Sequence, residues 1–225
     1  MFHVKHLLYI LIFLPFCGFS QHFSISTMEA KPLPAMPPKN QEIVLALEQS
    51  PLFRELSSEQ KEWFYWTNYS RQRPKAFWDS VVTQVLKTYP NLVSEYSASL
   101  KTDLYKTQPL PLLLPDKKLQ DLATGHANDL QRKKANPSHT STNGTTFQQR
   151  MVKAEVGGCA AENISYGPSN PIMALVLLYI DERIPDLGHR KNLLFPNYKI
   201  MGVGISQYPN GQVMVIQDFA CAQNL

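Results

Sequence analysis

The chain has 225 residues, 44% of them hydrophobic, with 22 Lys and Arg against 18 Asp and Glu. That length and apolar content suffice for one packed core, and no repeat or low-complexity block calls for a second domain. A formal net charge of +4 is too mild to imply a nucleic-acid partner.

The opening stretch MFHVKHLLYILIFLPFCGFS combines a basic start at Lys5, an apolar run from Leu7 to Phe16 and small residues at Gly18 and Ser20. This pattern marks residues 1–20 as a secretory signal peptide, with cleavage expected before Gln21. No later segment is apolar over the ~18 residues that a transmembrane helix needs, so no transmembrane segment is expected after cleavage. The localisation implied is secreted, either periplasmic or extracellular. Lipid anchoring through Cys17 is the alternative, although bulky Phe16 stands where such processing wants a small residue. Cleavage leaves Cys159 and Cys221, which in an oxidising compartment suggest one disulfide, the alternative being two buried thiols.

Residues 21–54 include KPLPAMPP, with four prolines in seven residues, and are expected to form an extended, semi-rigid spacer before a folded domain at 55–225. In LSSEQKEWFYWTNYSRQ, Trp63, Trp66 and Tyr69 recur at threes after a cap at Ser57 or Ser58, which predicts a helix. A second helix is expected from Pro74 to the stop at Pro90. Asp116 caps a third, whose apolar face of Leu119, Leu122, Ala123 and Leu130 also carries His126 inward. Thr145 and Gln148 have capping-box spacing for a short helix, and NPIMALVLLYIDERI is apolar nearly all round, as a helix buried between layers would be. AAENISY is a candidate strand. KIMGVGIS and QVMVIQDFA, separated by QYPNG, read as a hairpin with Gly211 at positive φ. Helices followed by a terminal hairpin predict an α+β layered domain.

Four histidines remain after cleavage, and three of them, His126, His139 and His189, lie within the expected domain. His139 sits in a turn-rich loop, where a solvated imidazole is the plain expectation. Glu162 lies between alanines and a strand-like run, so it is expected to be buried and to need a partner, either a structural ion pair or a functional role as ligand or base. Asp181 and Glu182 end the apolar helix, where the macrodipole disfavours acids unless solvent or a cation compensates. His189 follows them within one loop. No HExxH, GxSxG or CxxC pattern fixes a reaction. Two histidines and two acids from separate segments could hold a divalent ion or form a metal-free acid–base cluster.

The ordered pieces LATGHANDLQ, PSHTSTNGT, AENISYG, GHRKNLL, MGVGIS and VIQDFA resemble the CAP superfamily, the SCP-like domains of cysteine-rich secretory, antigen 5 and pathogenesis-related-1 proteins, in its bacterial form. The resemblance runs over about residues 55–225, with Asn68 and Arg71 matching the first helix. It implies a three-layer α-β-α sandwich with a small central, largely antiparallel sheet. It also implies a cleft gathering His139, Glu162, His189 and a second acid, Asp181 or Glu182, with His126, Asn163 and Asn192 in support. The cofactor implied is zinc or another divalent cation, and the partner an extracellular or cell-envelope ligand. The expected function is therefore a secreted metal- or ligand-binding module. The alternatives are a metal-assisted or acid–base hydrolase using Glu162, and a lipid-binding protein.

Overall fold

The structure, a computed structural model, describes residues 23–25 and 31–221. The expected leader over residues 1–20, with Cys17, lies outside the described residues.

Phe23–Ile25 forms a short strand, β1. Residues 31–40 carry no helix or strand, but the spacer expected up to residue 54 ends there. Asn40 caps α1 (Gln41–Glu48), and Ser50 caps α2 (Pro51–Glu55), which has Pro at its start. Ile43, Leu47 and Phe53 from these helices are buried in the same apolar cluster as Trp63 and Phe64. Apolar residues placed to cover the next helix thus make this segment part of the core.

A capping box between Ser57 and Gln60 opens α3 (Ser58–Gln72), which is buried continuously from Trp63 to Arg71. The expected second helix is interrupted: α4 (Pro74–Phe77) passes through a π-helical turn at Trp78–Val82 into α5 (Thr83–Thr88). A further helix, α6 (Glu95–Lys106), starts from a Ser94 cap and buries Leu100 and Leu104. After the short strand β2 (Leu114–Pro115), Asp116 accepts from the Leu119 N–H and starts α7 (Lys117–Arg132).

The cap of α8 (Phe147–Lys153) is Thr146 with Gln149, one residue later than the expected pair. Tandem Thr and tandem Gln satisfy the spacing in both registers. The Ser141 N–H donates to the Thr145 carbonyl and keeps Thr145 in the preceding turn. There follow β3 (Ala160–Gly167), α9 (Pro171–Ile180), α10 (Gly188–Leu193), β4 (Ile200–Gln207) and β5 (Val213–Ala220). The turn between β4 and β5 has Gly211 at φ 82°, as its hairpin signal required.

The sheet order is β1-β3-β5-β4-β2. The long strands β3, β5 and β4 run antiparallel, and the short outer strands β1 and β2 pair parallel to β3 and β4. Helices α3 and α9 cover one face, where Met201, Val203, Val215 and Phe219 join their core. Helix α7 covers the other face and packs closest over β4: a Cβ on Gly202 would lie 2.2 Å from the Leu119 backbone, and one on Gly204 2.1 Å from that of Ala123. Only glycine permits that approach. The molecule is therefore a helix–sheet–helix sandwich with a mixed sheet. Cys159 and Cys221 form a disulfide that clamps the end of the β3–β5 ladder, beside a bond from the Cys221 N–H to the Cys159 carbonyl.

Candidate functional site

Strand β3 organises the site, because side chains alternate across a sheet and the adjacent Glu162 and Asn163 therefore point to opposite faces. Glu162 is on the α7 side, in a register row with Asp218 of β5 and Gly202 of β4. Asn163 is on the α10 side, where its amide donates to the His189 carbonyl at 3.3 Å and accepts from Asn192 at 2.9 Å.

On the α7 side His139 is buried, not a solvated loop residue. Its Nδ1–H donates to Glu162 Oε1 at 2.7 Å, and Arg150 Nη2 donates to Glu162 Oε2 at 2.5 Å. Arg150, from α8, also donates to the His139 carbonyl at 3.0 Å and to Ser141 Oγ at 3.2 Å, so one guanidinium joins the acid to the loop bearing the histidine. Burial pushes the Glu162 carboxyl up, but the His139 bond and the Arg150 charge outweigh it and hold the group below its ordinary range. His126 stands behind this cluster: its Nε2–H donates to the Ser138 carbonyl at 2.8 Å, and the Ser141 hydroxyl donates to Nδ1 at 3.1 Å. Burial, with Arg150 nearby, lowers its pKa and keeps the ring neutral, against the opposing pull of Glu162.

Asp218 completes the row. It is fully buried, and among the described residues no hydrogen-bond donor reaches either of its carboxyl oxygens. Burial first, then the charge of Glu162, pushes its pKa well above the ordinary carboxylate value. Both observations describe a carboxyl that keeps its proton.

At the start of α10, Asp181 rather than Glu182 meets His189. Asp181 closes α9 in the left-handed conformation, φ 54°, with its N–H bonded to the Leu177 carbonyl. Short polar residues tolerate that region best. The turn directs its carboxylate to the start of α10, where Oδ1 accepts from His189 Nδ1–H at 2.5 Å and Oδ2 from the Arg190 N–H at 3.0 Å. An acid misplaced at the end of α9 thus sits at the positive end of α10. Glu182 is at the surface and accepts from the Ser94 hydroxyl at 2.6 Å. The segment GHRKNL, expected as loop, is helical because Asp181 satisfies one of its first N–H groups.

Asn68 and Arg71 secure the surroundings. The Asn68 side chain pairs with both the N–H and the C=O of Leu113. Arg71, buried without a carboxylate, donates to the carbonyls of Pro111, Leu193, Phe195 and Tyr198, and burial pulls its pKa down to about 10.

Together these contacts leave Glu162 and Asp181 with all four oxygens bonded, and Glu162 against a guanidinium. Among the described residues no three His, Cys, Asp or Glu side chains come together as a metal site. The residues do not fit a resident zinc ion held by three or four protein ligands. Instead the acids occupy an orienting position, with a carboxylate bonded to Nδ1 of each imidazole.

The family model described as CAP, the cysteine-rich secretory protein family, matches residues 65–220. The chain belongs to that family. Among solved structures, an extracellular SCP-domain protein of Bacillus anthracis str. Ames is 32% identical over 50% of this chain and 35% of its own, with a TM-score of 0.42. The CAP chain thus spans about a third of that protein's length. An outer surface protein of Borrelia burgdorferi is 20% identical, covering 60% of this chain and 96% of its own, TM-score 0.43. Venom allergen-like protein 4 of Schistosoma mansoni is 12% identical, covering 75% and 92%, TM-score 0.43. No curated protein matches the sequence.

Two residues of the CAP cluster, Arg150 and Asp218, are missing from the residues singled out by sequence. Nothing local in the sequence ties Arg150, within α8, to an acid partner. Asp218 carried a usable signal, an acid inside the strand VIQDFA, and the hairpin register turns that signal into a position opposite Glu162.

Proposed function

We propose that this CAP domain is an exported binding module that meets an extracellular or cell-envelope ligand through the Nε2 atoms of His139 and His189. The observation that carries this reading is the bonding of both carboxylates: Glu162 and Asp181 are spent on holding imidazoles, not on binding an ion or activating water. A general base needs an oxygen able to take a proton near the working pH. The Glu162 pKa is not raised: the His139 bond and the Arg150 charge hold it below the ordinary range. Export is supported by the apolar leader and by the disulfide, and no helix of the described residues is long and apolar enough to cross a membrane.

Zinc chloride is the simplest probe of imidazole Nε2, although it is not taken as the natural ligand. Titration calorimetry should detect a zinc interaction weaker than a closed three- or four-ligand site would give, reduced in His139→Ala and in His189→Ala. Heats identical in wild type and both variants would refute the assignment of these rings as contact groups. Turnover of peptide or peptidoglycan fragments that Glu162→Gln abolishes, with the fold intact by circular dichroism, would instead establish a hydrolase.

A further inference from the structure

The buried pair Glu162–Asp218 is the feature of the cluster that the binding reading leaves unused. The two residues are directly opposed on neighbouring antiparallel strands, and both lie on the face covered by α7. Side chains so placed have Cβ atoms about 4.5–5.5 Å apart, within reach of one another. The next member of the row is Gly202, pressed on the Leu119 backbone, so no side chain from β4 separates or solvates them.

The charged groups facing the pair are few. Arg150 from α8 donates to Glu162, and His139 from the preceding loop donates to the same carboxylate. His126 from α7 is neutral and already satisfied by Ser138 and Ser141. Arg150 therefore supplies one positive charge to two acids. Two carboxylates in direct opposition away from water repel and cannot both ionise cheaply. One proton on the pair removes the repulsion and supplies the donor that the geometry lacks.

We propose that Asp218 is a neutral acid whose O–H donates to Glu162, making it a positioning residue that holds the Glu162 carboxylate against His139 and Arg150. Glu162 is then fixed by three donors from three separate elements, His139, Arg150 of α8 and Asp218 of β5. The ring of His139 inherits its orientation from an acid whose rotation is blocked. The proton stays with Asp218 because Glu162 has the two stronger donors. The inference rests on His139 being a contact group, but it concerns the protein without ligand and is tested that way.

The experiment is carbon-13 NMR of the side-chain carboxyls in the mature, disulfide-bonded chain, from about pH 3 to about pH 9, a window that spans ordinary carboxylate and imidazole titrations. Asp218, assigned by its loss in Asp218→Asn, should show a protonated carboxyl at neutral pH while Glu162 is ionised. An Asp218 signal that titrates near the ordinary value of about 3.9 overturns the proposal. The variants supply a second readout. Asp218→Asn keeps an N–H donor and should retain the Nδ1–H tautomer and ring shifts of His139, whereas Asp218→Val removes the donor and should shift them together with the Glu162 carboxyl. Equal His139 spectra in both variants would also overturn it. If Asp218→Val does not fold, the wild-type titration and Asp218→Asn still decide. None of these measurements depends on zinc, so a failed titration of the histidines and a failed carboxyl pair are told apart.

Discussion

Replacing Arg150 by Met isolates the contribution of the one cation in the α7-side cluster. The side chains of Arg150 and Glu162 are 9% and 1% exposed, so the variant leaves a buried carboxylate beside a second buried acid with no positive charge to offset it. Removing one partner of a buried ion pair costs about 3–5 kcal/mol. In a domain of this size, where each kcal/mol moves Tm by about 2–4 °C, the expected loss is about 6–20 °C. The sign with pH follows from Glu162, whose folded pKa lies below its unfolded one. Its stabilisation is present above about pH 4.3 and is lost as the pH falls through the folded value. The difference between wild type and variant should therefore be full at neutral pH and shrink in acid, where protonated Glu162 no longer needs Arg150. Urea unfolding followed by circular dichroism, disulfide intact, measures it. A difference under about 1 kcal/mol at neutral pH, or one that does not shrink in acid, would refute the account of Arg150 as the charge that balances Glu162.

Gly202→Ala should be among the most destabilising single-methyl changes, about 1–3 kcal/mol or more, because its Cβ would meet the Leu119 backbone at 2.2 Å; a thermal melt within 1 °C of wild type would contradict the close packing of α7, as about 2–4 °C accompanies each kcal/mol. Replacing Cys159 and Cys221 by Ser opens a closure of sequence separation 62, which loop entropy values at about 4 kcal/mol, read as a lower urea midpoint in the unreduced protein. His126 has a folded pKa below the unfolded value of about 6.5, so stability should begin to fall as the pH drops through that value. His126→Gln should flatten that part of the stability profile; an unchanged slope would show that His126 is not the group responsible.

What the sequence made legible was whatever a local pattern encodes. The capping serine of α3, the Asp116 cap of α7, the all-round apolar α9 and the hairpin turn at Gly211 each depend on neighbours within a few residues, and each is found where the pattern puts it. The resemblance supplied the order of motifs, but not which acid meets His189. That depends on the left-handed turn at Asp181, a backbone conformation that neither Asp181 nor Glu182 announces in the text. Arg150 and Asp218 were hidden for a related reason: their roles arise from strand register and from a loop folding back over α8. Helices α1 and α2 were obscured by the prolines just upstream of them, although Ile43 and Leu47, four residues apart in α1, already had the spacing of one helix face.

The order of strands in the sheet has a consequence for how the chain is assembled as it is made. Strand β5 comes last in sequence among the described strands, yet lies between β3 and β4. Until residues 213–221 have emerged, β3 has no long neighbour, Glu162 has no Asp218 opposite it, and Cys159 lacks its partner Cys221. The helices can form one by one as they leave the ribosome, but the long antiparallel ladder cannot. The long-strand ladder closes only with β5, and an intermediate halted before it would expose the β3 edge to any other chain able to add a strand.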